Sequence, residues 1–215
     1  MPLAFAALVL LGGGLGLALL WIGELEGFAA GGIFFVHVPV ALSAYALLVW
    51  GAWKALRLLW TRDERYDLES YTGIHVGLIF ALLTLVTGSI WARAEWGVWW
   101  DWRDRQLVTF LILFLFYSAY FMLRYSLEQG PARARISAVY ALFGVVLIPV
   151  SFLAVRLAEQ FLHRTPLIRA GRPDIEGTVL GVFGVCFAGA LALAASMYAI
   201  ELAGKRLDAR LQEAR

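Results

Sequence analysis

Cysteine and charge are both scarce in this sequence. Cys186 is the only cysteine among 215 residues, which excludes an intramolecular disulfide, a paired-cysteine redox centre and an iron–sulfur cluster. Charged residues make up 16% of the chain, against about a quarter in soluble domains. The net charge of +2 is spread over several polar segments, so no nucleic-acid-binding surface is predicted.

Apolar residues dominate instead, at 61% of the chain, with a mean hydropathy of +0.75. Six uncharged stretches of 17 to 24 residues are each close to the roughly 20 residues that a membrane-spanning helix needs; they are 3–23, 33–53, 71–92, 107–123, 136–155 and 177–200. Because they are continuously apolar, they favour helices over the alternating strands of a membrane barrel. We predict one all-α domain over residues 1–215, a bundle of six transmembrane helices whose first helix is retained.

The placement of lysine and arginine predicts the orientation of this bundle. Eleven of the 18 lie in the second and fourth connections and in the tail 201–215, and seven lie in the other three connections. Six spans put both termini on one side of the membrane, and the charge bias predicts that this side is the cytoplasm. The seven basic residues on the outer side require a reason other than topology.

Tryptophan is concentrated in the third connection, which is predicted to lie outside. Five of nine tryptophans fall within twelve residues, namely Trp91, Trp96, Trp99, Trp100 and Trp102. If residues 93–106 form a short helix along the membrane surface, Trp96, Trp99, Trp100 and Arg103 share one face. An aromatic belt at the lipid headgroups is the alternative, but it accounts poorly for indoles interleaved with Asp101, Arg103, Asp104 and Arg105. The cluster favours a planar apolar ligand with acidic groups, because rings stack on indoles and carboxylates pair with arginine.

Two of the three histidines flank this segment on the same predicted side. His37 lies near the outer end of the second stretch, and His163 lies in the fifth connection. Each histidine alone is more simply interpreted as an interfacial or hydrogen-bonded residue. Together, on either side of the tryptophan segment, they favour a ligand pair, because two neutral imidazoles can occupy both axial positions of a haem iron. His75 lies at the opposite side, about 24 Å from Trp91 at 1.5 Å per residue. A structural hydrogen bond is the favoured interpretation of His75, although intramembrane histidines are also candidate functional residues.

With these residues in place, the chain resembles the CcmC family of cytochrome c maturation proteins, which belongs with CcsA and CcmF among haem-handling membrane proteins. The family's tryptophan signature, W-G-x-W-W-x-W-D-x-R-L, is followed by residues 96–102, and Arg105 falls on its arginine. Residues 86–91 are similar to the segment that leads into the signature. His37 and His163 match the two family histidines. Arg103 stands where the family usually has aspartate, and Gln106 replaces a leucine.

This resemblance implies a specific function at the periplasmic side of the bacterial cytoplasmic (inner) membrane. It implies that His37 and His163 hold a non-covalent haem b as cargo and that the protein presents this haem to the chaperone CcmE, beside CcmA, CcmB and CcmD. The implied contacts are stacking on Trp96, Trp99, Trp100 and Trp102 and pairing of the haem propionates with Arg103 or Arg105. We expect no catalytic turnover by the chain itself.

Two other function classes fit the sequence less well. A b-type electron-transfer cytochrome usually has paired histidines inside the bundle, often for two haems, and three histidines cannot supply two such pairs. A small-solute transporter requires polar groups near the middle of the membrane, and the six stretches contain almost none.

Overall fold

The computed structural model of the chain describes residues 2–21, 31–157 and 177–214, and the regular structure in these ranges is α-helical. The helices are α1 (Pro2–Trp21), α2 (Gly31–Thr61), α3 (Arg65–Trp96), α4 (Arg105–Ser126), α5 (Pro131–Leu157) and α6 (Gly177–Glu213). Helices α2 to α6 are long and apolar enough to cross a membrane, and α1 contributes a shorter apolar helix, Pro2–Ala18. The described part of the chain is thus all-α, as predicted, and it has the five long apolar helices of a multi-pass membrane protein; the count of six spans stays a prediction.

Several helices continue beyond the apolar stretches that predict them. Helix α2 runs to Thr61 and α3 starts at Arg65, so the polar connection predicted over 54–70 is reduced to three residues. Helix α6 runs to Glu213, so the predicted tail is mostly helical. Charged residues end an apolar stretch but not a helix, because lysine, arginine and glutamate are good helix formers.

Small residues allow α2 and α3 to approach closely. A methyl group added at Gly73 would lie 3.0 Å from the Cα of Gly51, and one added at Gly77 would lie 2.9 Å from the side chain of Leu48. These contacts run in opposite directions along the two helices, which are therefore antiparallel. Close packing of this kind replaces the hydrophobic driving force that lipid removes.

A glycine on each helix also allows α1 and α6 to pack closely. A methyl group at Gly14 would lie 2.7 Å from the Sγ of Cys186 on α6, and one at Gly189 would lie 2.8 Å from the backbone nitrogen of Leu11. These pairs make α1 and α6 antiparallel. Helix α1 therefore begins at the end of the bundle where α6 finishes.

Buried apolar residues form two clusters at different heights in the bundle. The larger cluster contains residues of all five helices from α2 through α6, such as Leu48, Phe80 and Tyr117. The smaller lies beside the segment that links α3 to α4, and its members include Phe34, Phe35, Phe183 and Cys186, with Trp91 packed against them. This second cluster supports the residues described next.

Candidate functional site

His37 lies in the second turn of α2 and packs against the last turns of α3. Its Nδ1 is 2.9 Å from the Oγ1 of Thr87, and its ring meets Trp91 edge to face at 5.4 Å and 74°. A methyl group added at Gly88 would lie 2.9 Å from the Cε1 of His37. The three α3 residues are spaced i, i+1 and i+4, so one helix face holds the imidazole in place.

Trp91 packs between His37 and the buried aromatic residues of the smaller cluster. Its ring centroid lies 6.4 Å from that of Phe34, which is fully buried and lies 5.4 Å from Phe183 on α6. The sequence groups Trp91 with four other tryptophans, whereas the structure places it on α3 as a partly buried neighbour of His37. Aromatic rings in edge-to-face contact restrict one another's orientation, so Trp91 limits rotation of the His37 ring.

A small cavity with mostly apolar walls lies beside His37. Its volume is about 70 Å³ and it is lined by His37, Ala41, Tyr45, Thr84, Leu85, Gly88, Gln106, Leu107 and Phe110. The buried Oε1 of Gln106 has no hydrogen-bond partner among the described residues. A space of this size accommodates a few water molecules and is far below the roughly 300 Å³ or more of a typical ligand pocket. A planar ligand of His37 must therefore lie outside this cavity.

The tryptophan segment is a turn between two helices and not the surface helix considered from the sequence. Helix α3 ends at Trp96 because Gly97 adopts a left-handed φ of +73°, and its N–H donates to the carbonyl of Arg93 at 3.2 Å. A glycine in this conformation is a common way to terminate a helix. Of the loop and the surface helix that the sequence left open, the segment is the loop. The face that Trp96, Trp99, Trp100 and Arg103 would share in a helix is not formed, since only Trp96 is helical.

An aspartate begins the next helix. The side chain of Asp104, which is 6% exposed, accepts a hydrogen bond from the backbone N–H of Leu107 at 3.0 Å. Such N-caps stabilise a helix start by satisfying one of its free N–H groups. Asp104 is thereby committed to the start of α4 at Arg105.

Exposed indoles remain the main feature of the turn, which we call the tryptophan loop (residues 96–104). Trp99 and Trp102 are 60% and 73% exposed. Trp100 is half-buried, meets Trp102 edge to face at 5.7 Å, and has a buried Nε1 with no hydrogen-bond partner in the described part of the chain. Exposed aromatic surface with an unsatisfied buried donor is typical of a binding site.

The two arginines predicted to bind acidic groups differ in their surroundings. Arg103 makes a bidentate ion pair with Asp101, with distances of 3.0 Å for Nε to Oδ1 and 2.6 Å for Nη2 to Oδ2. Hydrogen bonds from Arg103 lower the pKa of Asp101 to about 2, so this pair stays ionised at neutral pH. Arg105 is exposed, and no carboxylate among the described residues pairs with it.

The second predicted histidine cannot be compared with the first. His163 lies outside the described residues, so its pairing with His37 stays a prediction.

His75 lies at the other end of the bundle and makes the hydrogen bond expected of it. Its Nδ1 lies 2.8 and 2.9 Å from the two carboxylate oxygens of Glu201 on α6. Lys205 pairs with the same carboxylate, and the ring of Tyr71 stacks on His75 at 6.1 Å. We call this the His75 end.

Ion pairs surround His75 on neighbouring helices. Arg124 on α4 makes two hydrogen bonds to Asp67 on α3, at 2.8 and 2.6 Å. Glu69 on α3 accepts from Lys54 on α2 at 2.8 Å and from Arg206 on α6 at 2.6 Å. These pairs join four helices and explain why the helices extend past their apolar stretches.

Two of the residues around His37, Thr87 and Gly88, were not singled out individually from the sequence. They fall within the segment 86–91, whose only signals were its similarity to the family's lead-in and Trp91 as a member of the tryptophan cluster. The i, i+1 and i+4 spacing of the three residues places them on one helix face, but that pattern does not identify a histidine 50 residues earlier as their partner.

Comparison with known proteins assigns the family. A family model described as Heme exporter protein C, CcmC, matches residues 1–215. The chain belongs to the CcmC family. It is 37% identical to the heme exporter protein C of Paracoccus denitrificans over 134 residues, which are 61% of this chain and 54% of that protein. The corresponding protein of Bradyrhizobium diazoefficiens is 31% identical over 180 residues, 83% of this chain and 67% of its own length.

A plant relative broadens the range of similarity. A putative cytochrome c biosynthesis ccmC-like mitochondrial protein of Arabidopsis thaliana is 32% identical over 118 residues, 55% of this chain and 43% of its own. The chain spans about half the length of the first of these relatives. The resemblance drawn from the tryptophan signature and the histidines is confirmed at the level of the family.

Proposed function

We propose that this CcmC-family chain binds haem b as cargo at the tryptophan-loop end and passes it on during the maturation of c-type cytochromes. In this proposal the loop faces the periplasm from a bacterial cytoplasmic membrane, α1 is the sixth span, and both termini are cytoplasmic. The observation that carries the proposal is the fixed imidazole of His37 at the end of the bundle that also carries the exposed indoles of the tryptophan loop. Relatives named for heme export and cytochrome c biosynthesis support the same role.

The geometry favours haem held on the surface of the bundle. Because the cavity next to His37 is only about 70 Å³, the macrocycle must lie against the outer surface and the tryptophan loop. His37 and, as proposed, His163 are the axial ligands. The exposed rings of Trp99 and Trp102 offer stacking surface, with Trp100 and Trp96 beside them.

The propionates require cationic partners at the rim of this surface. Arg105 is exposed and has no carboxylate partner in the described ranges, whereas Arg103 is bound to Asp101. A guanidinium pairs bidentately with a carboxylate, so Arg105 is the stronger candidate. Arg103 contributes positive charge while remaining bound to its own aspartate.

An exposed site suits delivery of haem to another protein. A ligand held at the edge of a bundle can be contacted by a partner before it leaves, whereas a ligand enclosed by helices requires the bundle to open. We therefore propose a CcmE-like chaperone as the acceptor and CcmA-, CcmB- and CcmD-like subunits as partners. In this role the chain binds and transfers haem without a catalytic turnover of its own.

An absorption spectrum of the purified protein tests the haem assignment. Wild-type protein reconstituted with haem should give the Soret band of low-spin, bis-histidine iron. His37→Ala and His163→Ala should each lose or strongly weaken this band. His75→Ala serves as the matched control, because His75 is the third histidine and is bound to Glu201. Full haem binding in both of the first two variants would overturn the proposal.

A further inference from the structure

The hydroxyl of Thr87 has three neighbours within hydrogen-bonding distance. Its Oγ1 is 2.8 Å from the backbone oxygen of Leu83, 3.3 Å from that of Thr84 and 2.9 Å from the Nδ1 of His37. A threonine hydroxyl carries one proton and two lone pairs, and a carbonyl oxygen carries no proton. At 2.8 Å the contact with Leu83 is attractive only if Thr87 donates its proton there. Towards His37, Thr87 is therefore the acceptor.

This assignment determines which nitrogen of His37 carries the proton. A neutral imidazole has one N–H and one nitrogen with a free lone pair. Because Thr87 accepts, Nδ1 must be the protonated nitrogen, and the lone pair lies on Nε2. We propose that Thr87 is a positioning residue that fixes His37 in this tautomer, so that Nε2 is prepared to bind haem iron before haem arrives. The ligand part of this inference rests on the proposed function.

Two neighbours on the same helix keep the ring in the required orientation. Gly88 leaves just enough space for Cε1, since any Cβ there would lie 2.9 Å away, and Trp91 packs against the ring at 5.4 Å. A ring flip would replace Nδ1 with a carbon opposite Thr87 and lose the hydrogen bond. Orientation and tautomer are thus set together by residues 87–91.

The kind of acceptor also differs between the two described histidines. Histidines that bind metals usually donate their other N–H to an acceptor, which raises their basicity. His75 faces the carboxylate of Glu201, whereas His37 faces a neutral hydroxyl. A hydroxyl withdraws the proton less than a carboxylate does. We expect a moderately basic ligand at His37, consistent with haem that must be released again.

Nitrogen NMR of haem-free protein labelled with ¹⁵N-histidine tests the tautomer directly. The chain has three histidines, and His37→Ala identifies the signal of His37. The wild type should show a protonated Nδ1 and an unprotonated Nε2 on His37. Thr87→Ser should keep this pattern, and Thr87→Val should shift the population towards protonated Nε2. A wild-type His37 protonated on Nε2, or no change in Thr87→Val, would overturn the inference.

Haem binding gives a second measurement with a matched control. Loss of a hydrogen bond to a metal ligand typically reduces metal affinity about 10- to 100-fold, so Thr87→Val should weaken haem binding by at least about tenfold and raise the reduction potential. Thr87→Ser, which keeps the hydroxyl, should have the haem affinity and the reduction potential of the wild type. The control is Thr72→Val, on the same helix at the His75 end, whose buried hydroxyl donates within its own helix to the oxygen of Leu68 at 2.8 Å. Equal effects of the two valine variants would contradict a specific role for Thr87.

The two measurements also separate this inference from the proposed function. The expected tautomer in wild-type protein, together with full haem binding by His37→Ala, would leave Thr87 as the residue that sets the tautomer and refute haem ligation by His37. If Thr87→Val does not fold, the wild-type and Thr87→Ser spectra still test the tautomer.

Discussion

The two ends of the bundle differ in what their polar and aromatic side chains contact. At the His75 end, charged side chains bind one another, as in the pairs of Arg124 with Asp67 and of His75 with Glu201. At the tryptophan-loop end, Trp100 Nε1 and Gln106 Oε1 are buried without partners among the described residues. Buried polar groups are normally satisfied, and exceptions often mark functional sites. Buried atoms without a partner among the described residues also occur toward the His75 end, at Ser70 Oγ, Arg133 Nε and Ser137 Oγ. The two ends therefore differ in the ion pairs that join helices and in the exposed indoles, and not in unsatisfied polar atoms alone.

The strongest test of this contrast is Gly88→Ala at the tryptophan-loop end. The added Cβ would lie 2.9 Å from the Cε1 of His37, so the imidazole must move off α3 and lose its bond to Thr87. We expect haem retention, measured as Soret absorbance per protein, to fall by more than about tenfold, as it does when ligand orientation is lost. Gly184→Ala is the control, because no described atom lies within 4 Å of its added Cβ. Wild-type retention in Gly88→Ala would contradict the placement of His37.

At the His75 end, Arg124→Met should affect stability and leave haem binding unchanged. Arg124 is 5% exposed and makes two hydrogen bonds to Asp67. Removing one partner of a buried ion pair leaves an uncompensated charge and costs on the order of 3 kcal/mol. Thermal unfolding in detergent measures the loss, with the exposed Arg210→Met as control. A normal Soret band is expected in the folded protein, and its loss would show that the two ends are not independent.

Stacking on the tryptophan loop should have a smaller effect than His37 itself. Trp99→Ala with Trp102→Ala removes two exposed rings, and each aromatic contact contributes about 0.5–1.5 kcal/mol. We expect haem affinity to fall by about five- to a hundredfold in a titration. Trp53→Ala with Trp60→Ala is the matched control, because these rings are 47% and 79% exposed, against 60% and 73% in the loop. Equal losses would return the loop tryptophans to the role of an aromatic belt.

The apolar stretches predicted the helices well but not their ends. A span is recognised by continuous apolar sequence, whereas a helix continues as long as its backbone hydrogen bonds do. Glu201 lies just outside the last apolar stretch and yet inside α6, where it reaches His75 across 126 residues of sequence. Pairs at such separation depend on helix packing, which local sequence patterns do not specify.

Some features of the tryptophan loop could be predicted from the sequence and others could not. Its position between two apolar stretches follows from composition, and Gly97 and Asp104, a helix stop and a helix start, are signals that could have identified the turn. Helical spacing of the tryptophans also allowed a surface helix, which is not formed. The partner of Thr87 could not be predicted, because its hydroxyl bonds locally to Leu83 whether or not His37 is near.

The smallest expected effect distinguishes the two arginines at the rim of the loop. Arg105→Gln should weaken haem binding about two- to fivefold, the range of an exposed ion pair, because its guanidinium has no carboxylate partner in the described ranges. Arg103→Gln should have less effect, since Asp101 already binds Arg103. The pKa of Asp101 is lowered to about 2, so the pair forms above that pH and is lost only as the pH falls through it. The ratio of the haem affinities of the two variants, measured by titration, should therefore stay constant between about pH 6 and 8. A larger loss of affinity in Arg103→Gln than in Arg105→Gln would reverse the assignment of the propionate partner.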